Sequence, residues 1–306
     1  MAEVSTGEQM TSIPFTAETA RQALTHACQR AGIDARSVEL IRMGSNAVFR
    51  IGEDLIARVA PSARLFSNAE KQIVVARWLQ CVDYPATRAT AIDQPIELAD
   101  RVVTFWKSIS QEAVYAPIHD VAQLIKRLHV LPAPMHIALP ELRPFGEVED
   151  KLPQFVGLPP ADAQFLRKRI EWARETFPAL PFALPRGHIH GDANVGNVLC
   201  DDHGQAVLID LDSFAVGGRE WDLIQTALFF DRLGWHTEAE YGEFVEVYGY
   251  DITQWAAYSD LADMREIAMT LWIAKKASSS PESAAEAVKR IEAIRSGGSR
   301  RDWGAY

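Results

Sequence analysis

GHIHGDANVGNVLCDDHGQAVLIDLDSF, residues 187–214, is the stretch on which the reading of this chain turns. Apolar pairs alternate with polar loop residues along it, as in short hairpins. Within it Asp192 is followed by four residues and then Asn197, and the apolar run Ala206-Val207-Leu208-Ile209 ends in Asp210. Asp and Asn are common turn residues, but this ordered set also meets the needs of phosphoryl transfer. That chemistry takes a carboxylate to orient the attacking hydroxyl and accept its proton. It also takes hard oxygen ligands for Mg2+, which neutralises charge on the phosphates. His190-Gly191-Asp192, four residues, then Asn197 is the spacing of a kinase catalytic loop. A strand ending in a carboxylate suits Asp210 to a metal. Asp212 either assists at the metal or bonds the following turn. His190 is expected to have a structural task.

Working outward toward the N-terminus, the pattern predicts a helix over 16–31, stopped at Gly32. Short strands follow over 38–43, 48–51 and 55–60, the last two separated by Gly52-Glu53-Asp54. A helix is expected over 68–80, opened by Ser67-Asn68-Ala69-Glu70 as a capping box. Strands near 87–92 and 101–106 complete a small sheet. Toward the C-terminus, Val121, Leu124, Ile125 and Leu128 mark the buried stripe of a helix. Residues 160–177 read as helical, and from Arg219 onward the chain is a series of amphipathic helices. The last of these starts at Pro281 and ends before Gly297-Gly298. The expected fold is therefore α+β, with a small antiparallel β-rich lobe before a larger, mostly helical one.

Here the sequence resembles the superfamily of aminoglycoside phosphotransferases and choline kinases. The matching segments are HGDANVGNVL (190–199), LIDLDSF (208–214) and REWDL (219–223). The likeness runs from about Ala31 to Lys276 and is most specific over 188–223. It implies a protein-kinase-like bilobal fold: an N-terminal helical segment over 1–36, a nucleotide-binding lobe over 37–107, and a helical lobe over 108–306 holding the acceptor. It implies ATP or GTP as co-substrate and Mg2+ as cofactor. Asp192 becomes the catalytic base, and Asn197 and Asp210 the metal ligands. Asp222 buttresses the catalytic loop through backbone hydrogen bonds. Gly44-Ser45-Asn46-Ala47 matches the loop over the phosphates, though any hairpin turn could carry those residues. Arg58 falls where the family usually has a lysine on the α- and β-phosphates; arginine is always charged and holds phosphate bidentately. Glu70 falls at that cation's ion-pair partner, besides its place in the capping box. Thr104-Phe105-Trp106 falls at the hinge whose backbone would meet the adenine.

Other classes are weighed on the same residues. His188-Ile189-His190-Gly191-Asp192 is an H-x-H-x-D pattern of the kind metallohydrolases use for zinc. Such sites need further histidines, and only His203 and His236 lie downstream. A protein kinase commonly has Arg where Gly191 stands, and needs an activation segment longer than the eleven residues between Asp210 and Asp222. A non-catalytic ligand-binding relative has no need of Asp192, Asn197 and Asp210 together.

The formal net charge of -10 and the absence of a basic stripe argue against nucleic acid as a partner. Three widely spaced cysteines fit reduced thiols in the cytosol. MAEVSTGEQMTSIPF shows no basic start followed by an apolar run, and no stretch approaches a membrane helix, so a cytoplasmic location away from membranes is expected. The acceptor is a hydroxylated small molecule: an aminoglycoside or other antibiotic, with a role in resistance, or a primary metabolite such as choline, an amino sugar or an amino acid. Residues 231–266 carry nine acids against Arg232 and Arg265. A cationic acceptor would gain from Asp231, Asp263 and Glu266 there; the other reading is a solvated helix face.

Overall fold

The computed structural model describes residues 14–305 apart from 148. The leader reading of residues 1–15, and the start of the 1–36 segment, lie largely outside the described residues. The described residues form two compact units: one runs up to Val114 and takes in Cys200–Asp212, and the other is Tyr115–Leu199 with Ser213 onward. The sequence boundary at 107 therefore shifts, and the first helix joins the sheet.

The reason lies in the core of that first unit. Helix α1 (Ala17–Ala31) is capped by Thr16 and ends at Gly32, whose φ of 67° is readily adopted only by glycine. Its buried face, Ala20, Ala23, Leu24, Ala27 and Cys28, joins Phe49, Ile51, Ala57, Val59 and Phe105 in one cluster. The sheet is antiparallel, in the order β1 (Val38–Met43), β2 (Ala47–Ile51), β3 (Leu55–Ala60), β5 (Val102–Lys107), β4 (Ile96–Glu97). In β2 alternate residues are fully buried, the period that puts one strand face on a core.

Two expected elements differ. Helix α2 runs from Phe66 to Cys81 and continues a 3-10 turn, Ala63–Leu65, capped by the Ser62 hydroxyl. Ser67 thus falls inside the first turn and the capping box at 67–70 does not form; an earlier cap won. Residues 87–92 make no strand. Thr87 donates to the carbonyl of Leu208 (2.8 Å) and Thr90 to that of Phe105 (3.1 Å), so neighbours along the segment pair with different partners and no ladder propagates. Within this unit β8 (Ala206–Leu208) leads to Asp210.

The second unit is helical. It contains α3 (Ile118–Val130), α4 (Pro160–Thr176), α5 (Glu220–Asp231), α6 (Glu238–Tyr248), α7 (Tyr258–Ala274) and α8 (Pro281–Ser296). The predicted stripe Val121, Leu124, Ile125 and Leu128 is buried on α3. A short antiparallel pair, β6 (Gly187–Ile189) with β9 (Ala215–Gly217), brackets the loop that carries Asp192. Strand β7 (Val198–Cys200) follows that loop. Among the described residues no helix is long and apolar enough to cross a membrane.

Candidate active site

In the helical unit, Asp192 sits at the end of a loop fixed from behind by one fully buried carboxylate. Asp222 Oδ2 accepts the amide of His190 (2.7 Å) and Oδ1 accepts that of Gly191 (2.7 Å). His129 Nε2 lies 3.0 Å from Asp222 Oδ2, and its Nδ1 lies 2.9 Å from the Tyr248 hydroxyl. Burial pushes the Asp222 carboxyl up, but the bond and charge of His129, with His190, outweigh it and hold the group below the usual carboxylate range. The indole of Trp221 donates to the carbonyl of Gly191 (2.8 Å). Gly191 has φ of 83°, and a Cβ there would collide with the carbonyl of Ser213. Glycine at 191 is therefore a backbone requirement, and an arginine does not fit there.

The Asp192 carboxylate is gripped at both oxygens. Asn197 Nδ2 donates to Oδ2 (3.0 Å) and to the Asp192 carbonyl (2.8 Å). Arg265 Nη2, from α7, pairs with Oδ1 and also donates to Gln225 on α5. The Asp192 side chain stays 42% exposed, while that of Arg265 is 8% exposed. His190 is fully buried, its Nδ1 accepting the amide of Asp192 (3.3 Å).

In the sheet unit, Asp210 has a left-handed φ of 61°, a conformation Asp tolerates better than most residues. Its Oδ1 accepts Arg58 Nη2 (3.0 Å). Arg58 Nη1 donates to Gln72 Oε1 (3.1 Å). Asp212 Oδ1 accepts Asn68 Nδ2 (3.0 Å) and Gln72 Nε2, and its carbonyl accepts Lys71 Nζ (2.6 Å). Burial, reinforced by the charge of Asp210, pushes the Asp212 carboxyl up despite Arg58 and Lys71. Burial likewise lowers the Lys71 ammonium, against the pull of Asp212. Ser45, Arg58 and Thr104 line one recess with Asn68, Gln72 and Asp212. Gly44 lies in the exposed turn beside it, its amide on the carbonyl of Asn46 (3.0 Å).

Several expected placements are corrected. Glu70 is exposed; the partner of Arg58 on α2 is Gln72, two residues on, because α2 starts earlier and turns position 72 toward the strand. Thr104, Phe105 and Trp106 form the interior of β5, not a hinge. Both backbone groups of Phe105 are engaged: its amide donates to Gln94 Oε1 (2.7 Å) and its carbonyl accepts Gln94 Nε2 (3.0 Å). They are closed to an adenine. His188 is buried, stacked on Phe214, with Nε2 on the carbonyl of Leu128 (2.8 Å). That bond removes it from a zinc set with His190 and Asp192. Among the described residues no group of three His, Cys, Asp or Glu side chains is gathered to hold a metal.

The acidic segment also reads differently in three dimensions. Glu266 is fully buried and bonded by Arg232 (3.0 Å) and Arg300 (3.0 and 3.1 Å). Asp263 pairs with Arg232 (2.7 Å) and Arg169 (3.2 Å), and Asp231 accepts the Tyr258 hydroxyl (2.9 Å). Arginines thus meet the charges of Glu266, inside the fold, and of Asp263, which stays 37% exposed, while Asp231 meets only a neutral hydroxyl. Sequence reading missed Gln72, Asn68 and Lys71 around Asp212. It also missed Arg265 beside Asp192. The available signal was a basic residue inside an acid-rich helix.

A family model described as the phosphotransferase enzyme family matches residues 37–261, most of the chain. The chain belongs to the phosphotransferase enzyme family. No curated protein matches the sequence closely enough to name as a relative. Solved structures do share the fold of this phosphotransferase. An amicoumacin kinase in complex with AMP-PNP, Ca2+ and its ligand superposes with a TM-score of 0.69 at 12% identity, covering 93% of this chain and 95% of that one. A choline kinase from Streptococcus pneumoniae gives 0.61 at 14% identity, with 89% and 99% covered. A spectinomycin phosphotransferase with ADP and spectinomycin gives 0.59 at 15%, with 89% and 93% covered. The α+β fold of this phosphotransferase-family chain is thus protein-kinase-like.

In the helical unit Asn197 spends its amide nitrogen on Asp192, which leaves its side-chain carbonyl as a hard oxygen donor. In the sheet unit Asp210 is a carboxylate bonded by Arg58.

Proposed function

We propose that this protein is a small-molecule kinase: it transfers the γ-phosphoryl group of ATP or GTP to a hydroxyl of a small molecule. Asp192 serves as general base, and Asn197 and Asp210 serve as ligands of Mg2+. The observation that carries this reading is the setting of Asp192. Its carboxylate is oriented by Asn197 and Arg265, its loop is pinned by the buried Asp222, and it remains accessible. A rigid, accessible carboxylate is what an acceptor hydroxyl needs for alignment.

In this mechanism Asp192 accepts the hydroxyl proton as the acceptor oxygen bonds to the γ-phosphorus. The bond from that phosphorus to the β,γ-bridging oxygen breaks, and the nucleoside diphosphate leaves with the electron pair. Mg2+ supplies charge neutralisation on the phosphates when bound. Arg58 neutralises phosphate charge from β3, held in direction by Gln72. Ser45 and Thr104 line the same recess and are its polar contacts for nucleotide. Relatives solved with AMP-PNP or ADP support a nucleotide as donor. Relatives named as kinases of antibiotics and of choline support a small hydroxylated acceptor, whether antibiotic or primary metabolite. A cytosolic setting fits the family.

The decisive experiment is a nucleotide-consumption screen with Mg2+ against a library of hydroxylated metabolites and antibiotics. At least one compound should be phosphorylated by the wild type and not by Asp192→Ala. Equal turnover in both proteins, or transfer to none of the library, would sink the reading.

A further inference from the structure

The sheet of the first unit has two edges, and they differ. One is β4, only two residues long, where Arg30 Nη1 donates to the Glu97 carbonyl (2.6 Å). A short, covered edge offers little to another strand. The other edge is β1, six residues reading Val-Glu-Leu-Ile-Arg-Met and paired on one side only, to β2. Glu39, Ile41, Arg42 and Met43 are exposed along it, Ile41 at 48% and Met43 at 39%. Among the described residues neither Glu39 nor Arg42 has an ion-pair partner. Arg50, opposite Glu39 on β2, is spent on Ser108, Ser110 and Gln111.

The register with β2 fixes which way each residue of β1 faces. Val38, Leu40 and Met43 oppose Ile51, Phe49 and Ala47, whose side chains are buried in the core. Glu39 and Arg42 oppose Arg50 and Val48, on the other face. Ile41 is the extra residue of a bulge between Leu40 and Arg42, so the alternation skips one position there. The backbone follows the same count. The Ser37 carbonyl accepts the Gly52 amide on the β2 side (3.0 Å), so Glu39 faces β2 as well and Leu40 turns its N–H and C=O outward. The outward carbonyl of Val38 is met by Arg21 Nη1 (3.1 Å), which leaves Glu39 to Met43 as the open length of the edge.

Two-fold symmetry about Leu40 matches this strand to itself. With the bulge counted as one step, an antiparallel second β1 sets Leu40 against Leu40, Val38 against Met43, and Glu39 against Arg42. Each pair joins side chains of one face, apolar with apolar and acid with base. The symmetry makes the Glu39–Arg42 pair occur twice. A lone charge on an edge strand keeps other strands away. Opposite charges set evenly about a centre instead favour a copy of the same strand.

We propose that β1 is a dimer surface whose partner is a second copy of this chain, the two five-stranded sheets joining edge to edge through antiparallel β1 strands. The inference concerns the sheet unit alone and does not depend on the kinase reading.

Sedimentation equilibrium of the full chain tests it. The samples are the wild type, Glu39→Arg, Arg42→Glu, the chain with both changes, and an equimolar mixture of the two single variants. The wild type should dimerise reversibly with a Kd below about 100 µM. Each single variant sets like charges against each other at both ion-pair positions and should weaken dimerisation by about tenfold or more. In the mixture arginine again meets glutamate at both positions, so affinity should return to within about threefold of wild type. The chain with both changes should do the same by itself. Such a return also shows that the variants fold. A wild type that stays monomeric to about 100 µM would overturn the proposal. So would single variants that dimerise as the wild type does. Failure of both the mixture and the doubly changed chain to associate better than the single variants would overturn it as well.

Discussion

Asp222 in the helical unit and Asp212 in the sheet unit are both carboxylates set behind an acid expected to do chemistry, and burial pushes both up, yet their surroundings leave them displaced in opposite directions. Asp222 is fully enclosed and still held below the usual range, because the bond and charge of the His129 imidazole, with His190 and the loop amides, outweigh burial. Asp212 is pushed up, because burial and the neighbouring charge of Asp210 outweigh Arg58, Lys71 and the amides of Asn68 and Gln72. The difference is one of donor geometry. The fixed His129 imidazole does most to hold Asp222 charged, and loop amides that cannot turn away add to it. Side-chain amides and a lysine whose own charge is weakened by burial do so less. One acid is thus an anchor for a loop; the other is a half-buried charge that its surroundings only partly offset.

The largest effects are expected in front of these two acids. Asp192→Ala should cut acceptor phosphorylation by about a hundredfold or more while nucleotide affinity stays near wild type, since the base touches the acceptor. Retention of more than a few per cent of turnover would reassign the base. Asp210→Ala should lose comparable turnover, with a partial return at raised Mg2+.

Next comes the anchor itself. Asp222→Asn puts an amide among donors and leaves one loop amide unpaired, and should cost about 3 kcal/mol in denaturant unfolding at neutral pH. The sign of its pH dependence follows from the lowered value. The Asp222 contribution is present above the unfolded carboxylate pKa of about 4 and is lost as pH falls through the lower folded value. Wild type should therefore lose stability in acid more steeply than Asp222→Asn. Parallel acid limbs would show that the carboxylate is not the anchor.

Arg58→Ala should raise the nucleotide KM and lower turnover by about tenfold together, and Arg58→Lys should recover part of both. Unchanged kinetics in the alanine variant would make Arg58 a structural partner of Asp210 and Gln72 only. The smallest effect belongs to Asp212→Asn. Its Oδ1 acceptor is kept and a poorly offset charge is removed, so stability should change by less than about 1 kcal/mol. A loss as large as that of Asp222→Asn would erase the distinction between the two acids.

The sequence by itself marked Asp192, Asn197 and Asp210 as candidates, because they are tied by short, fixed spacings along one stretch. It also determined the buried stripe of α3, the Gly32 stop of α1 and the Pro281 start of α8, since helix periodicity and caps act over a few residues. Asp222 was legible only through the family resemblance carried by 219–223, since its contacts lie 31 and 32 positions back along the chain. Only the tertiary structure decided which residues meet across long separations. Gln72 replaced Glu70 because a cap at Ser62 moved the start of α2 and so its facing positions. The strand expected at 87–92 dissolved because its amides are shared between two distant strands. Asp263 and Glu266 looked like an open negative field until Arg169, Arg232 and Arg300 folded onto them. Arg265 looked like one basic residue on an acidic helix until it arrived at Asp192, 73 positions away. Charge along a chain fixes composition, but which charges neutralise one another depends on distances that only packing sets.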